Sequence, residues 1–357
     1  MRRRIMTEKV DYSQQPFTIV SLENNNTITF KVSSETNLTP VTLYVSTAKS
    51  SFGTSKTATE AGTTLATLNR GEKLYIRVTN YITQANYPYS DGTDYHSFDT
   101  SGLVALEGNI MSLLYHLNFS EQTALNRDYT FFRMFYYSRK IQNIDNLVMP
   151  ATTLRNGCYE RMFQGSGITS LPENLLPATT LEPSCYYYMF YDCAITAIPS
   201  GFLPATTLAE NCYYSMFSNT SITTLPSGLL PATTLASSCY RQMFYGCASL
   251  ATVAHDLMSA TTLARACCRG MFSACSSLQN SPDLNAKTLV TDCYRVMFNA
   301  CTSINYIKCT ATSISASNAT NAWLGGASST GTFVRASGVS WTRSTSGVPS
   351  GWTLVNA

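Results

Sequence analysis

The chain has 357 residues, long enough for two or three structural units, and 44% of them are hydrophobic, enough for a core. Charged residues make up only 13%, about half the usual share, so Thr, Ser, Asn and Tyr must cover a polar, nearly neutral surface. A net charge of +3 with one basic run, Arg2-Arg3-Arg4, argues against nucleic acid as a partner, and no run approaches the ~18 apolar residues of a membrane span.

The opening residues have no apolar stretch and no small-residue cleavage site, and read as no export signal. Residues 1–105 carry alternating runs at Thr27–Val32, Val41–Val45 and Lys73–Val78, separated by Asn, Gly and Ser clusters. Alternation with period two predicts half-buried strands, here a small β-sandwich-like domain serving as a cap or an attachment module. Residues 106–130 hold the run Ile110–Leu117, read as a helical lead-in.

From 131 to 309 the sequence repeats. Met-Phe recurs at Met134, Met162, Met189, Met216, Met243, Met271 and Met297, spaced 26 to 28 residues apart. A cysteine four residues earlier keeps step at Cys158, Cys185, Cys212, Cys239, Cys267 and Cys293, and so does a Thr-Leu step ending at Leu154, Leu181, Leu208, Leu235, Leu263 and Leu289. At helical spacing the ladder Cys, the Met and Phe four and five residues on, and the second Cys eight residues on share one inward side. An apolar pair follows, as at Ile195/Ile198 and Ile222/Leu225, and reads as a short extended segment. One such unit buries about eight apolar side chains at roughly 2 kcal/mol each, against on the order of 1–2 kcal/mol of backbone entropy per residue. It is therefore stable only when stacked on its neighbours. The expected architecture is a mixed α/β repeat solenoid of about seven coils of ~27 residues.

Residues 310–357 depart from the repeat and turn rich in Gly, Ser and Thr, with strands expected at Gly331–Val334 and Trp352–Val355. They read as a β-rich C-terminal cap whose Trp323, Trp341 and Trp352 cover the last coil, a sugar platform being the sharper alternative. The twelve cysteines fall between Cys158 and Cys309 in phase with the repeat. There is no C-x-x-C, and Ser138, Ser166 and Thr220 stand in for the second cysteine elsewhere, so buried free thiols are expected and neither metal nor disulfide. The three histidines, His96, His116 and His255, lie in different regions, and no nucleotide, P-loop or zincin motif is present. No cofactor and no catalytic residue is expected.

Opposite the inward stripe, positions two, three and six after each ladder cysteine vary most between coils. They present Tyr187, Tyr188, Tyr191, Tyr214 and Tyr245, and a column of Arg241, Arg269 and Arg295. Such positions are a solvated face unless a partner covers them; tyrosine clusters favour contact surfaces, and a column of like charges favours an anionic partner.

The stretch Met243-Phe244-Tyr245-Gly246-Cys247-Ala248-Ser249-Leu250, repeated at this period, resembles the A-F-x-x-C-x-x-L core of BspA-type leucine-rich repeats, with Met in place of the Ala and a longer coil. The resemblance covers about 131–309. It implies a leucine-rich-repeat solenoid of the kind found in bacterial surface adhesins and in phages of such hosts. The absent export signal favours the phage: a fibre, decoration or receptor-binding component of the virion. Its partners would be host-surface glycan or protein, other virion proteins through the N-terminal domain, and further copies of itself, three if it is a fibre. A bacterial cell-surface adhesin is the alternative reading, and a glycan-processing enzyme a distant one.

Overall fold

A computed structural model describes residues 10–33, 41–79 and 95–357; the basic run Arg2–Arg4 lies outside them. The three alternating runs are strands: β2 (Asn26–Val32), β3 (Thr42–Ser46) and β6 (Lys73–Val78), each burying every second residue. With β1 (Thr18–Ser21), β4 (Thr54–Thr57), β5 (Thr63–Leu68), β7 (His96–Thr100), β8 (Val104–Asn109) and β9 (Ile141–Val148) they build two sheets. One has the order β4-β3-β6-β1-β8-β9, the other β5-β2-β7. Phe98 joins their inner faces, its ring 5.5 Å from Phe17 and 4.7 Å from Phe30.

The larger sheet does not stop at residue 105. Its last strand, β9, belongs to the first repeat and pairs parallel with β8, and Phe98 stacks on the repeat ring Phe135 at 5.8 Å. The expected helical lead-in is instead two short 3-10 turns, Ile110–Leu113 and Phe119–Glu121. Ser112 is committed to the strands: its hydroxyl accepts from the Phe17 N–H (2.8 Å) and donates to the Ile76 carbonyl (2.9 Å). Leu117, which a helix would have placed among the apolar positions, is exposed.

The helical reading of the repeat is also corrected: among the described residues there is no α-helix. The Cys-to-Cys segment is a run of tight turns. In the coil at Gly157–Ser166, the amides of Glu160, Met162 and Gln164 bond back to the carbonyls of Gly157, Tyr159 and Arg161. The alternate amides, of Tyr159, Arg161, Phe163 and Gly165, cross to Cys185, Tyr187, Met189 and Tyr191, one period on. Every fourth residue takes a left-handed backbone, as Gly157, Arg161 and Gly165 do (φ 57, 55 and 70°), and the pattern recurs to Gly326. A spacing of four suits an α-turn and a run of four-residue turns equally. Each left-handed non-glycine residue costs roughly 1–2 kcal/mol, and the inter-coil hydrogen bonds offset it. Tertiary stacking therefore selects the conformation.

Two other sides of each period are tied in the same way. Thr180 bridges Thr207, Thr234 bridges Thr262, and Thr288 bridges Ser313, all parallel. The apolar pairs lie on extended chain that becomes regular towards the C-terminus, as the pair β10 (Thr224–Leu225) and β11 (Thr252–Val253). A four-stranded parallel sheet follows, β12 (Asn280–Leu284), β13 (Tyr306–Cys309), β14 (Gly331–Arg335) and β15 (Trp352–Asn356), in which β14 and β15 contain the strands expected there.

Inside, like residues stack on like. Phe135, Phe163, Phe190, Phe217, Phe244, Phe272 and Phe298 form a column with ring centroids 5.3 to 5.9 Å apart. A second column of buried tyrosines, Tyr159, Tyr186, Tyr213 and Tyr240, runs beside it, and Cys268 takes the next place before Tyr294. The repeat outlasts its sequence motif. Residues 318–326 make the same turns, with Asn318, Ala322 and Gly326 left-handed and Trp323 in the place of the methionine. Trp323 stacks on Trp341 at 5.5 Å, and all three tryptophans are buried, so they close the core and present no sugar platform.

All twelve cysteines are free and buried. The second-column thiols of Cys193, Cys247, Cys275 and Cys301 donate to the carbonyls of Phe163, Phe217, Phe244 and Phe272 in the preceding coil, whereas Thr220, in the same place of its period, donates to Phe217 of its own coil (2.8 Å). A main-chain carbonyl of the coil itself therefore satisfies a hydroxyl where the thiols use the carbonyl of the coil before. Burial pushes Cys158, Cys212, Cys293 and Cys301 up to about 12, and Cys193, Cys247 and Cys309 to about 11, from an ordinary 9.0. In the unfolded chain these thiols ionise first, so their contribution is fully present below pH 9 and is lost as the pH rises through about 12. Each thiol contributes a slope of at most about 1.4 kcal/mol per pH unit. The native protein at pH 8 should therefore leave most thiols unlabelled by a thiol reagent, and should unfold cooperatively between pH 9 and 12 with a burst of labelling. Rapid native labelling of the majority would mean that the ladder is not a core element.

Candidate binding surface

Tyr, Met and Phe of each turn run fill the interior columns, and the second residue after each ladder cysteine from Cys158 to Cys293 is left half-buried. At the third and sixth positions Tyr188, Gln242, Tyr191 and Tyr245 reach the surface, whereas Ser215, Gln164, Ser218 and Ser273 are buried. Four of the expected tyrosines meet there. The Tyr187 ring lies 4.6 Å from Tyr188 and 4.8 Å from Tyr214, and Tyr188 lies 5.0 Å from Tyr191 and 5.6 Å from Tyr214. All four are half-buried. Tyr245, 37% exposed, is in ring contact with none of them.

Polar contacts hold the cluster in place. The Tyr214 hydroxyl donates to Gln242 Oε1 (2.8 Å), and Asn219 Nδ2 donates to the Tyr191 hydroxyl (2.9 Å). Burial, and then the neighbouring Tyr188, push the Tyr187 phenol up to about 12; burial also raises Tyr191 and Tyr214, with Arg241 opposing at Tyr214. Tyr187, Tyr191 and Tyr214 thus present neutral hydroxyls throughout the physiological range.

Arginine faces flank the rings. The Arg241 guanidinium sits 5.0 Å over Tyr214, and Arg161, absent from the sequence-based set, sits 5.4 Å over Tyr187 and 4.8 Å over Tyr188. Arg161 is held by Glu160 (3.3 Å) and by Gln164 (3.2 Å). The arginine column is real: burial, then Arg241 and Arg295, lower the pKa of Arg269. Arg295 is paired with Asp292 at 3.4 Å.

No family model matches the chain, and no curated protein or solved structure matches it at a significant level. The surface must be read from its own chemistry.

Sequence reasoning also missed the first coil. Arg133 lies 4.9 Å over both the buried Phe132 and the half-buried Tyr136, and Tyr136 meets the exposed Tyr137 edge-on at 4.5 Å, so that Arg133, Tyr136 and Tyr137 extend the aromatic–arginine surface towards the N-terminal sheets. The signal was present: Met134-Phe135 puts Thr130 in the ladder-cysteine place, and counting on from it lands on Phe132, Arg133 and Tyr136. Among the described residues no group of three His, Cys, Asp or Glu is placed to hold a metal ion, and no helix is long and apolar enough to cross a membrane.

Proposed function

We propose that this protein is a non-enzymatic binding protein, a BspA-type leucine-rich-repeat solenoid carried on a bacteriophage particle as a fibre, decoration or receptor-binding component. Its outward tyrosine and arginine face meets glycans of the host surface, and its N-terminal strands mount it on other virion proteins. The observation that carries this reading is the cluster of Tyr187, Tyr188, Tyr191 and Tyr214, four half-exposed rings on a nearly neutral surface. Rings of low side-chain entropy with fixed hydroxyls suit flat polyols, which stack on one face and hydrogen-bond at the edge. Replacing the four by serine leaves the interior columns untouched. Binding to a panel of bacterial surface polysaccharides should fall at least about tenfold, with thermal stability changed little, since surface substitutions usually cost within ~0.5 kcal/mol each. Wild-type binding by the quadruple variant would return this face to plain solvent.

A further inference from the structure

Beside the tyrosine cluster lies a cavity of about 260 Å³ lined by Arg241, Arg265 and Arg269, with Ser237 and Ser238. Ligand sites for drug-sized molecules run from about 300 to 1,000 Å³, so this one has room for a single substituent and its surroundings. Two carboxylates, Glu210 and Asp292, also line it, but Asp292 is engaged by Arg295. Among the described residues no carboxylate comes within ion-pair distance of Arg241, Arg265 or Arg269. Arg241 Nε is buried without a hydrogen-bond partner in the protein. The Ser237 and Ser238 side chains likewise make no hydrogen bond among the described residues.

Clustering unpaired guanidinium groups is unfavourable in the absence of an anion, and their planar forks match the oxygens of a carboxylate or sulfate. The cavity is continuous with the aromatic surface through Arg241, whose guanidinium covers Tyr214. Arg265 stands two residues before its ladder cysteine, a position that carries Glu210 and Ser237 in the preceding coils, so this cluster exists only where these coils meet.

We propose that Arg241, Arg265 and Arg269 form an anion subsite that takes the acidic substituent of a saccharide whose ring stacks on Tyr214. This rests on the glycan-binding reading above and narrows its ligand to acidic sugars. The substituent is a uronate carboxylate or a sulfate ester, both recognised by the same forks.

The test is calorimetry on the full chain at low ionic strength, with a uronate tetrasaccharide, a sulfated tetrasaccharide, a neutral glucose tetrasaccharide and inorganic sulfate. The comparison variant carries Arg265→Gln and Arg269→Gln, leaving Arg241 on its tyrosine. At least one acidic tetrasaccharide should bind about tenfold or more tighter than the neutral one. That advantage, read as the ratio of acidic to neutral affinity, should shrink with added salt and vanish in the double variant. Which acidic probe binds identifies the substituent. Equal affinity for acidic and neutral sugars, or an acidic preference surviving in the double variant, overturns the subsite and leaves the tyrosine surface standing. If no tetrasaccharide binds at all, the glycan reading falls. Inorganic sulfate then decides the subsite: sulfate binding that is lost in the double variant upholds it, and sulfate binding that is absent from the wild type or survives in the double variant removes it.

Discussion

Removing residues 204–230, one whole period, should yield a folded and shorter protein with cooperative unfolding. The cut joins Leu203 to Pro231, and Leu203 and Leu230 occupy equivalent buried places. The amides of Tyr186, Tyr188 and Phe190, which now reach Cys212, Tyr214 and Met216, would find Cys239, Arg241 and Met243 in the same register. The Phe and Tyr columns close up with no ring lost from phase, because each period contacts its two neighbours and stability is close to a nearest-neighbour sum. Removing only residues 204–216 is a different matter. It would place the extended segment of one coil against the turn run of the next, leaving crossing amides without acceptors and aromatic rings in solvent. An unpaired buried backbone group costs roughly 1–3 kcal/mol, and several together exceed the stability of ordinary proteins, about 5–15 kcal/mol. The half-period variant should be insoluble or unfolded by circular dichroism. Comparable damage from both deletions would mean that the periods are not interchangeable layers.

Phe217→Ala should be the most damaging single change among those that leave the backbone intact. Its ring stands between Phe190 at 5.7 Å and Phe244 at 5.9 Å, is fully buried, and also meets Phe202 at 6.3 Å. Truncating a buried Phe costs about 3–5 kcal/mol through lost transfer energy and the cavity left behind, and the hydrogen-bonded layers on both sides oppose collapse of that cavity. Denaturant titration should show the loss, and hydrogen exchange should quicken first at the amides of Phe190 and Phe217, which bond to Met216 and Met243 and link this layer to its neighbours. By contrast Tyr245→Ser, on an exposed ring, should change stability by no more than about 0.5 kcal/mol. A Phe217→Ala protein as stable as the wild type would show that the column is ornament to a fold held elsewhere.

Much of the surface was legible because the interior was. Once the Cys, Met and Phe positions of a period are assigned inwards, the residues two, three and six beyond the cysteine are left for the surface; Tyr187, Tyr188, Tyr191 and Tyr214 meet there, whereas Gln164, Ser215, Ser218 and Ser273 at the same positions are buried. What joins them to arginine was not legible. Arg161 covers Tyr188 from the preceding coil, Arg265 reaches the cavity from outside the turn run, and Tyr245 stays apart although its position in the period matches that of Tyr191. Those outcomes depend on neighbours about 27 residues away and on their rotamers, which periodicity does not carry.

The sequence by itself determined the period, the inward cysteine, methionine and phenylalanine columns and the free state of the thiols, from which residues recur in step, and three strands of the N-terminal sheets, from alternation. The buried tyrosine column and the other six strands of those sheets came from the structure. Only the tertiary structure decided the backbone of the repeat, the merging of the first coil with the N-terminal sheet, and the extra coil in which Trp323 replaces methionine. The reason is common to all three. Left-handed turns at every fourth residue are unfavourable for an isolated segment, and they become favourable when the adjacent coil or strand supplies acceptors for the amides that those turns direct outwards.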